Sequence, residues 1–177
     1  MKPEYYIKPE VTREEAVCRI SEHMSNKLIK IIKRRQKLVS MELVYLPFWC
    51  YEYTLNTSSL KEEIRGKIAI ETIAKTPAIL PSSYPLEPLN EEVNKLAVIG
   101  QEDQEAARKA IYWEAFNKEK RKKSIDLTLH SSWILYMPYW IGYLEGKTYE
   151  ILPVDGVSGR LDFTVKDAFL KIFSEAG

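Results

Sequence analysis

Two short strings in the sequence carry the side chains best suited to binding, LVYLPFW at residues 43–49 and ILYMPYW at residues 134–140. They share a tyrosine, a proline and a tryptophan at alternate positions, namely Tyr45, Pro47 and Trp49 in the first string and Tyr136, Pro138 and Trp140 in the second. Tyrosine and tryptophan join a large apolar ring to one hydrogen-bonding group, a combination common in ligand grooves and protein interfaces. The two strings therefore indicate a binding function rather than a catalytic one.

Side chains alternate between the two faces of a strand, and this alternation sorts the strings. The apolar face of the first string consists of Val44, Leu46, Phe48 and Cys50. We expect that face to pack against a helix. The other, aromatic face carries the candidate residues for binding a small molecule or a protein partner, which are Tyr45, Trp49, Tyr51, Tyr53, Tyr136 and Trp140. The alternative is that the aromatic face is core, packed against its counterpart from the other string.

Each string holds a proline where a sheet normally needs an N–H donor. Proline lacks that hydrogen, so within sheets it favours edge strands and bulges. We therefore expect Pro47 and Pro138 to kink their strands and to curl the sheet until its aromatic face is concave.

Two basic runs suggest nucleic acid as a second kind of partner. They are KLIKIIKRRQK at residues 27–37 and KEKRKK at residues 118–123, both expected at helix C-termini, where the helix dipole favours cations. The candidate phosphate-binding side chains are Lys33, Arg34, Arg35, Arg121 and Lys122. However, 26 basic residues stand against 25 acidic ones, so the chain is not a strongly basic nucleic-acid binder. Nucleic-acid binding is therefore the alternative function rather than the main one.

The sequence offers little for catalysis. It lacks GxSxG, P-loop, HExxH and GxGxxG motifs, and neither His23 nor His130 has an evident catalytic partner. Cys18 and Cys50 stand at neither C-x-x-C nor zinc-ligand spacing, and both are predicted to be buried thiols. We therefore expect a non-catalytic protein with no metal and no cofactor. An enzyme whose site is not visible in the spacing of its residues is the alternative.

The cellular location is predicted from the first residues and from one uncharged run. The start of the sequence, MKPEYYIKPEVTREE, contains no apolar leader segment, and the two thiols suit a reducing compartment, so we predict a cytoplasmic protein. Residues 127–144 run for 18 residues without a formal charge, which is near the length of a membrane span. Their alternating aromatic and aliphatic residues suit a strand better, so no membrane partner is expected.

Periodicity predicts the elements that carry these residues. Thr12 and Glu15 form a capping box, and apolar residues recur every three or four positions after it, so a helix is predicted over 12–36. Strands are predicted at 38–55, 63–74 and 78–80. The proline-rich residues 81–88 then indicate a linker in which neither helix nor strand continues.

The second half repeats that order. Asn90 is predicted to cap a helix that Gly100 interrupts, and a longer helix is predicted over 103–123. Strands are predicted at 127–144, at TYEILPV and at RLDFTV. An amphipathic helix over 166–175 closes the chain.

The repeated order, with the two strings 91 residues apart, predicts an internal duplication. The predicted fold class is α+β, and each copy is one helix packed on a three-stranded antiparallel sheet. The copies, residues 1–80 and 90–177 joined by linker 81–89, are small for independent stability, so we expect one pseudo-symmetric domain. Long edge strands would also favour self-association, for example as a homodimer.

The end of the second copy resembles PepSY-like domains, in which a tyrosine-bearing strand leads to a valine-aspartate pair, a short glycine turn and a last strand. YEILPVDGVSGRLDF has this order, on Tyr149, Val154, Asp155, Gly156, Gly159 and Leu161. The resemblance covers residues 103–165. The first copy has IAKTPAIL where the glycine turn should stand, so it would be a diverged copy. The resemblance implies a helix followed by three antiparallel strands, and a binding or inhibitory module rather than an enzyme.

Overall fold

The computed structural model describes residues 2–26, 36–57, 63–81, 83–89, 92–119 and 125–175, which form one seven-stranded mixed sheet with helices on both faces. The strands are β1 (Glu4–Tyr6), β2 (Lys37–Thr57), β3 (Ile64–Glu71), β4 (Pro77–Leu80), β5 (Glu87–Pro88), β6 (Ile125–Glu145) and β7 (Glu150–Asp155). The α-helices are α1 (Arg13–Ser25), α2 (Gln104–Glu119) and α3 (Lys166–Glu175), and a 3-10 helix, Phe163–Val165, leads into α3. The predicted α+β class is confirmed.

The two long strands, β2 and β6, form the centre of the sheet and pair antiparallel along nearly their whole length. Leu46 lies opposite Met137, and the tyrosine of each string lies opposite the proline of the other. The two strings therefore pair with each other, running in opposite directions about a local centre between Leu46 and Met137. The strand order β4-β3-β2-β6-β1-β5 builds outward from this pair, and β7 joins β6 beside β1.

The outer neighbour of β6 changes at Pro138. β1 pairs with β6 in parallel as far as Tyr136, and β7 pairs with it antiparallel from Tyr139 onwards. The Pro138 carbonyl accepts a hydrogen bond from Gly156 N at 2.8 Å on this outer side. Because the N and the carbonyl of one strand residue point the same way, the missing N–H of Pro138 also faces outward, away from the ladder with β2.

Pro47 has the corresponding position on β2. Tyr45 exchanges main-chain hydrogen bonds with residues 94–96, and pairing with β3 begins at Phe48. Both prolines therefore lie in central strands, at gaps between two outer neighbours, so the expectation of an edge strand or a bulge is wrong. The register shifts of the β2–β6 ladder lie on either side of the prolines and not at them. A proline is tolerated here because no partner strand needs its N–H.

Helices cover both faces of the sheet. α3 packs through Phe169 and Ile172 on the apolar face. The two longer helices pack on the aromatic face at opposite ends, α1 through Ala16 and Ile20 and α2 mainly through Ala107 and its neighbours. The apolar face therefore does pack against a helix as expected, but that helix is α3, whereas α1 and α2 lie on the opposite face. Both helices place small alanine side chains against the sheet, which leaves room for its large aromatic rings. Close packing therefore favours these helices on the aromatic face.

The turns after β3 and β7 have the same hydrogen-bond pattern. The acidic side chain at the end of each strand, Glu71 or Asp155, accepts N–H bonds from the residues two and three positions on. Its own N–H donates to the carbonyl five positions on. Each turn holds one residue in the left-handed conformation, Lys75 with a φ of 59° and Gly159 with a φ of 75°. IAKT therefore makes the turn for which the second half uses a glycine.

Several other expectations differ from the structure. The predicted strand RLDFTV is a single bridge at Leu161 followed by the 3-10 helix, because the Asp162 side chain accepts the Thr164 N–H and starts a helical turn. The linker contains β5, and residues 92–100 contain no helix. Cys18 is exposed on α1, whereas Cys50 is buried as predicted. Within the described ranges, no helix is long and apolar enough to cross a membrane.

Candidate functional site

Most of the predicted aromatic surface is covered by the rest of the fold. The four tyrosines among the candidate residues are buried, with exposed fractions between 1% and 7%; they are Tyr45, Tyr51, Tyr53 and Tyr136. Leu89 and Val93 pack over the middle of this face, between the areas that α1 and α2 cover. The two tryptophans are half-buried. The open concave groove predicted from the sequence is therefore absent from this described face, and its accessible parts are the two tryptophan neighbourhoods.

The surroundings of Trp140 satisfy its polar atom. The Trp140 Nε1 donates to the Val11 carbonyl at 2.8 Å, and Val11 immediately precedes Thr12, the N-cap of α1. Two positions after Trp140, the chain has Gly142. A Cβ there would lie 2.4 Å from the Ile20 Cδ1, so a larger residue would force the Ile20 side chain of α1 to shift. This neighbourhood is closed by main-chain hydrogen bonding and helix packing.

The surroundings of Trp49 are different. The Trp49 Nε1, the Tyr51 hydroxyl and the Glu102 Oε1 are buried and have no hydrogen-bond partner within the described part of the chain. Glu102 immediately precedes Asp103, whose side chain accepts the Ala106 N–H at the start of α2. Glu102 therefore stands before the α2 cap as Val11 stands before the α1 cap. At these positions the Trp140 neighbourhood has Val11 and Gly142, whereas the Trp49 neighbourhood has Glu102 and Tyr51.

Two further side chains complete this group, which we call the Trp49 cluster: Lys2, Trp49, Tyr51, Glu102 and Ser132. The Lys2 ammonium contacts the Glu102 carboxylate and donates to Ser132 Oγ at 2.6 Å. The same ammonium lies 5.4 Å from the centre of the Trp49 ring, within cation–π range. The cluster thus joins one cation, one carboxylate, two hydroxyls and an indole.

Strand register explains how distant parts of the sequence meet in the Trp49 cluster. Trp49 and Tyr51 share a face because they are two positions apart on β2, and Ser132 of β6 lies directly opposite Tyr51. β1 runs parallel to β6, and the Ile134 N–H donates to the carbonyl of residue 3 at 3.0 Å. This pairing places Lys2 beside Ser132.

Burial and charge set the protonation states in the cluster. Burial raises the pKa of the Tyr51 hydroxyl, and the negative charge of Glu102 adds to that rise. Burial alone would also raise the pKa of the Glu102 carboxyl, but hydrogen bonding and attraction from Lys2 outweigh it and hold the pKa below its usual value. Hydrogen bonding from the Tyr51 hydroxyl also helps to lower the Glu102 pKa, although the two groups do not meet in the geometry of a well-formed hydrogen bond. At neutral pH the cluster therefore presents a neutral phenol beside an ionised carboxylate.

Glu102 links the Trp49 cluster to solvent. It lines an open cleft of about 410 Å³ between the turn after β3 and the start of α2, together with Lys75, Gly100 and Lys171. A Cβ at Gly100 would lie 2.3 Å from the Thr72 carbonyl oxygen, so this wall of the cleft needs glycine. The Lys75 ammonium donates to a main-chain carbonyl of residue 101 at 2.6 Å. A small molecule can thus approach Glu102 from this side.

The remaining candidate residues either lie outside the described residues or make ordinary contacts within them. Lys33, Arg34, Arg35, Arg121 and Lys122 lie outside the described residues, and nucleic-acid binding stays a prediction. His130 shares a hydrogen bond of 2.9 Å with Thr54, and the His23 ring lies 5.5 Å from that of Phe163 at a tilted angle. In the described ranges, no group of three or more His, Cys, Asp or Glu side chains could hold a metal ion.

Sequence reasoning identified Trp49 and Tyr51 but missed Lys2, Glu102 and Ser132. Lys2 and Ser132 give no local signal, because the parallel pairing of β1 with β6 brings them together. Glu102 has a weak sequence signal, because it stands 91 residues after Val11, the same spacing that separates the two strings. Compared with known proteins, the chain matches no family model, no curated protein and no solved structure.

Proposed function

We propose that the protein is a non-catalytic binding module whose ligand contacts the Trp49 cluster. The observation that carries the proposal is the gathering of three buried polar atoms, from Trp49, Tyr51 and Glu102, that make no well-formed hydrogen bond within the described residues. Buried polar groups in native proteins are nearly always hydrogen-bonded, and leaving one unpaired costs about 1–3 kcal/mol. A bound molecule that accepts from the indole and the phenol and donates to the carboxylate would satisfy these atoms.

The other tryptophan supports this assignment by contrast. Trp140 has the same position in its string, yet its indole N–H donates to a main-chain carbonyl. The Trp140 arrangement would be sufficient if the tryptophan only stabilised the fold. The polar side chains around Trp49 therefore need another explanation. Binding supplies that reason, because sites for function are where folds keep costly polar groups.

Native mass spectrometry on protein purified gently from cells tests the proposal. We expect excess mass on the wild-type chain that disappears in Trp49→Phe and in Tyr51→Phe, since each removes one donor of the cluster. Trp140→Phe is the matched control and should retain the excess mass. A bare wild-type mass, or equal loss in all three variants, would contradict a ligand at the Trp49 cluster. The same spectrum gives the subunit count and so tests the predicted homodimer.

We also infer that the two halves are copies of one α/β unit. The two strings pair about a local centre, and the turns after β3 and β7 share one hydrogen-bond pattern. The helix positions agree as well, since buried Ala16 and Ile20 of α1 stand 91 residues before buried Ala107 and Ile111 of α2. Circularly permuted chains that begin near residue 90 should fold if the halves are equivalent units.

The resemblance to PepSY-like domains and the cytoplasmic location remain predictions. In support of the former, the second half has a helix, α2, followed by strands β6 and β7 and a glycine turn. The last strand of the PepSY order is represented by a single bridge at Leu161. A binding or regulatory role is what that resemblance implies, and it agrees with the proposed function.

A further inference from the structure

We propose that the Trp49 cluster recognises a primary ammonium group, and that Lys2 occupies it as an internal ligand that an external ammonium group displaces. This inference rests on the proposed function and names the ligand class of the same site.

The Lys2 ammonium already shows how the cluster holds such a group. It contacts the Glu102 carboxylate, lies 2.6 Å from Ser132 Oγ and faces the Trp49 ring at 5.4 Å. A carboxylate supplies charge-assisted hydrogen bonds, and an indole face attracts a cation through its quadrupole. These features favour an ammonium over a neutral or anionic group.

The cluster has more hydrogen-bonding capacity than Lys2 uses. The Glu102 Oε1 and the Tyr51 hydroxyl oxygen are buried acceptors that have no partner among the residues described. An ammonium group carries three N–H donors that could reach these two atoms, and an acceptor elsewhere on the same ligand would take the Trp49 indole N–H. A lysine retained for stability alone would be expected to leave no such atoms unpaired, because they are destabilising.

Lys2 can leave the site while β1 stays in place. Its side chain is 33% exposed, whereas Tyr6 and Ile7, which anchor this segment, are buried. Only short main-chain pairing, including the bond from Ile134 to Pro3, lies between the lysine and that anchor. Release of the lysine therefore exposes the Trp49 ring and the Glu102 carboxylate together.

Emptying the site tests the proposal. The variant is Lys2→Ala in the full chain, and the probe is n-butylammonium, which reproduces the end of a lysine side chain. We expect calorimetry to give a Kd about tenfold lower for Lys2→Ala than for wild type, because the probe no longer competes with Lys2. Lys8→Ala is the matched control, since Lys8 belongs to the same segment and forms an exposed pair with Glu87 at 3.8 Å. It should bind as wild type does.

The charge requirement is tested with a second variant and a second probe. Adding Glu102→Gln to Lys2→Ala should abolish the gain, and 1-butanol should bind none of the variants. Equal butylammonium affinity in wild type, Lys2→Ala and the double variant would overturn the proposal, as would equal binding of 1-butanol. Circular dichroism verifies the fold, and Lys2→Gln, which keeps the side-chain length, should show the same gain if Lys2→Ala disturbs β1.

A peptide distinguishes the two sources of an ammonium group. If an acetylated KPEYYI peptide binds Lys2→Ala more tightly than butylammonium does, the natural source is a lysine in an extended segment of a partner. Equal affinities point to a small free amine. If the gain is absent while native mass spectrometry still finds a ligand lost on Trp49→Phe, the ligand class is wrong and the proposed site stands.

Discussion

The two tryptophan strings share a backbone arrangement but differ in what surrounds the indole. Around Trp140, the N–H donates to the Val11 carbonyl, and Gly142 makes room for α1. Around Trp49, a tyrosine and a carboxylate take the corresponding places, and three polar atoms lack a partner in the part of the chain that the structure describes. The first neighbourhood is completed by the fold itself, whereas we propose that a ligand completes the second.

This difference supports the proposal that one string serves packing alone and the other also serves binding. The paired strings fill the centre of one sheet, so both tryptophans serve packing. Beside Trp49 the chain has a tyrosine and a carboxylate, whereas beside Trp140 it has a glycine and an apolar side chain, so the Trp49 neighbourhood is the more polar of the two. Such polar side chains are tolerated because the rest of the fold supplies stability.

The largest expected effect tests the structural equivalence of the two helices. Ile20 and Ile111 are almost fully buried at corresponding positions of α1 and α2. Each change to alanine should lower the free energy of unfolding by about 2–5 kcal/mol, because it removes buried methyl groups and leaves a cavity. Urea denaturation measures both. A loss below about 1 kcal/mol for one variant but not for the other would show that the halves do not bear the core equally.

The second effect concerns the closed neighbourhood. A Cβ at Gly142 would lie 2.4 Å from the Ile20 Cδ1, so Gly142→Ala should cost about 1–3 kcal/mol through overpacking. Combining it with Ile20→Val, which deletes that methyl, should cost clearly less than the two separate changes added together. Additive losses would mean that the clash is relieved elsewhere and that α1 does not enforce the glycine.

The third effect separates the two tryptophans directly. Trp140→Phe removes the bond to the Val11 carbonyl, whereas Trp49→Phe removes an indole N–H that has no partner in the described residues. Both variants lose similar packing, so their difference reports the hydrogen bond. Trp140→Phe should be less stable than Trp49→Phe by about 1 kcal/mol in chemical denaturation. Equal stabilities would remove the distinction between a closed and an open neighbourhood.

Much of the fold could be predicted from the sequence because its signals are local. Alternation over 38–55 and 127–144 predicted β2 and β6, and a capping box at Thr12 predicted α1. The sequence-based prediction of the sheet was wrong where the structure depends on which strands pair with each other. The prolines are tolerated because outer neighbours change beside them, and RLDFTV turns helical because Asp162 accepts a nearby N–H.

The candidate site was predicted only in part for the same reason. Trp49 and Tyr51 are visible in an aromatic strand. Their partners are not, because Lys2 and Ser132 meet through a parallel strand pairing across most of the chain. Nor does alternation alone say whether an aromatic face is core or surface, since that depends on which helices cover it.

The smallest expected effect is a dependence of stability on pH, which we expect for the Trp49 neighbourhood and not for the Trp140 neighbourhood. The Glu102 pKa is held below that of a glutamate in the unfolded chain, so its contribution is fully present above the unfolded-state pKa and is lost as pH falls through the lower folded-state pKa. Glu102→Gln should therefore destabilise by less than about 1 kcal/mol at pH 7, and the deficit should shrink at acid pH. Glu105→Gln, at a 90% exposed side chain of α2, is the control and should show little change. A constant deficit from pH 7 to pH 3 would mean that the Glu102 charge does not stabilise the cluster, and that Val11 and Glu102 differ in shape alone.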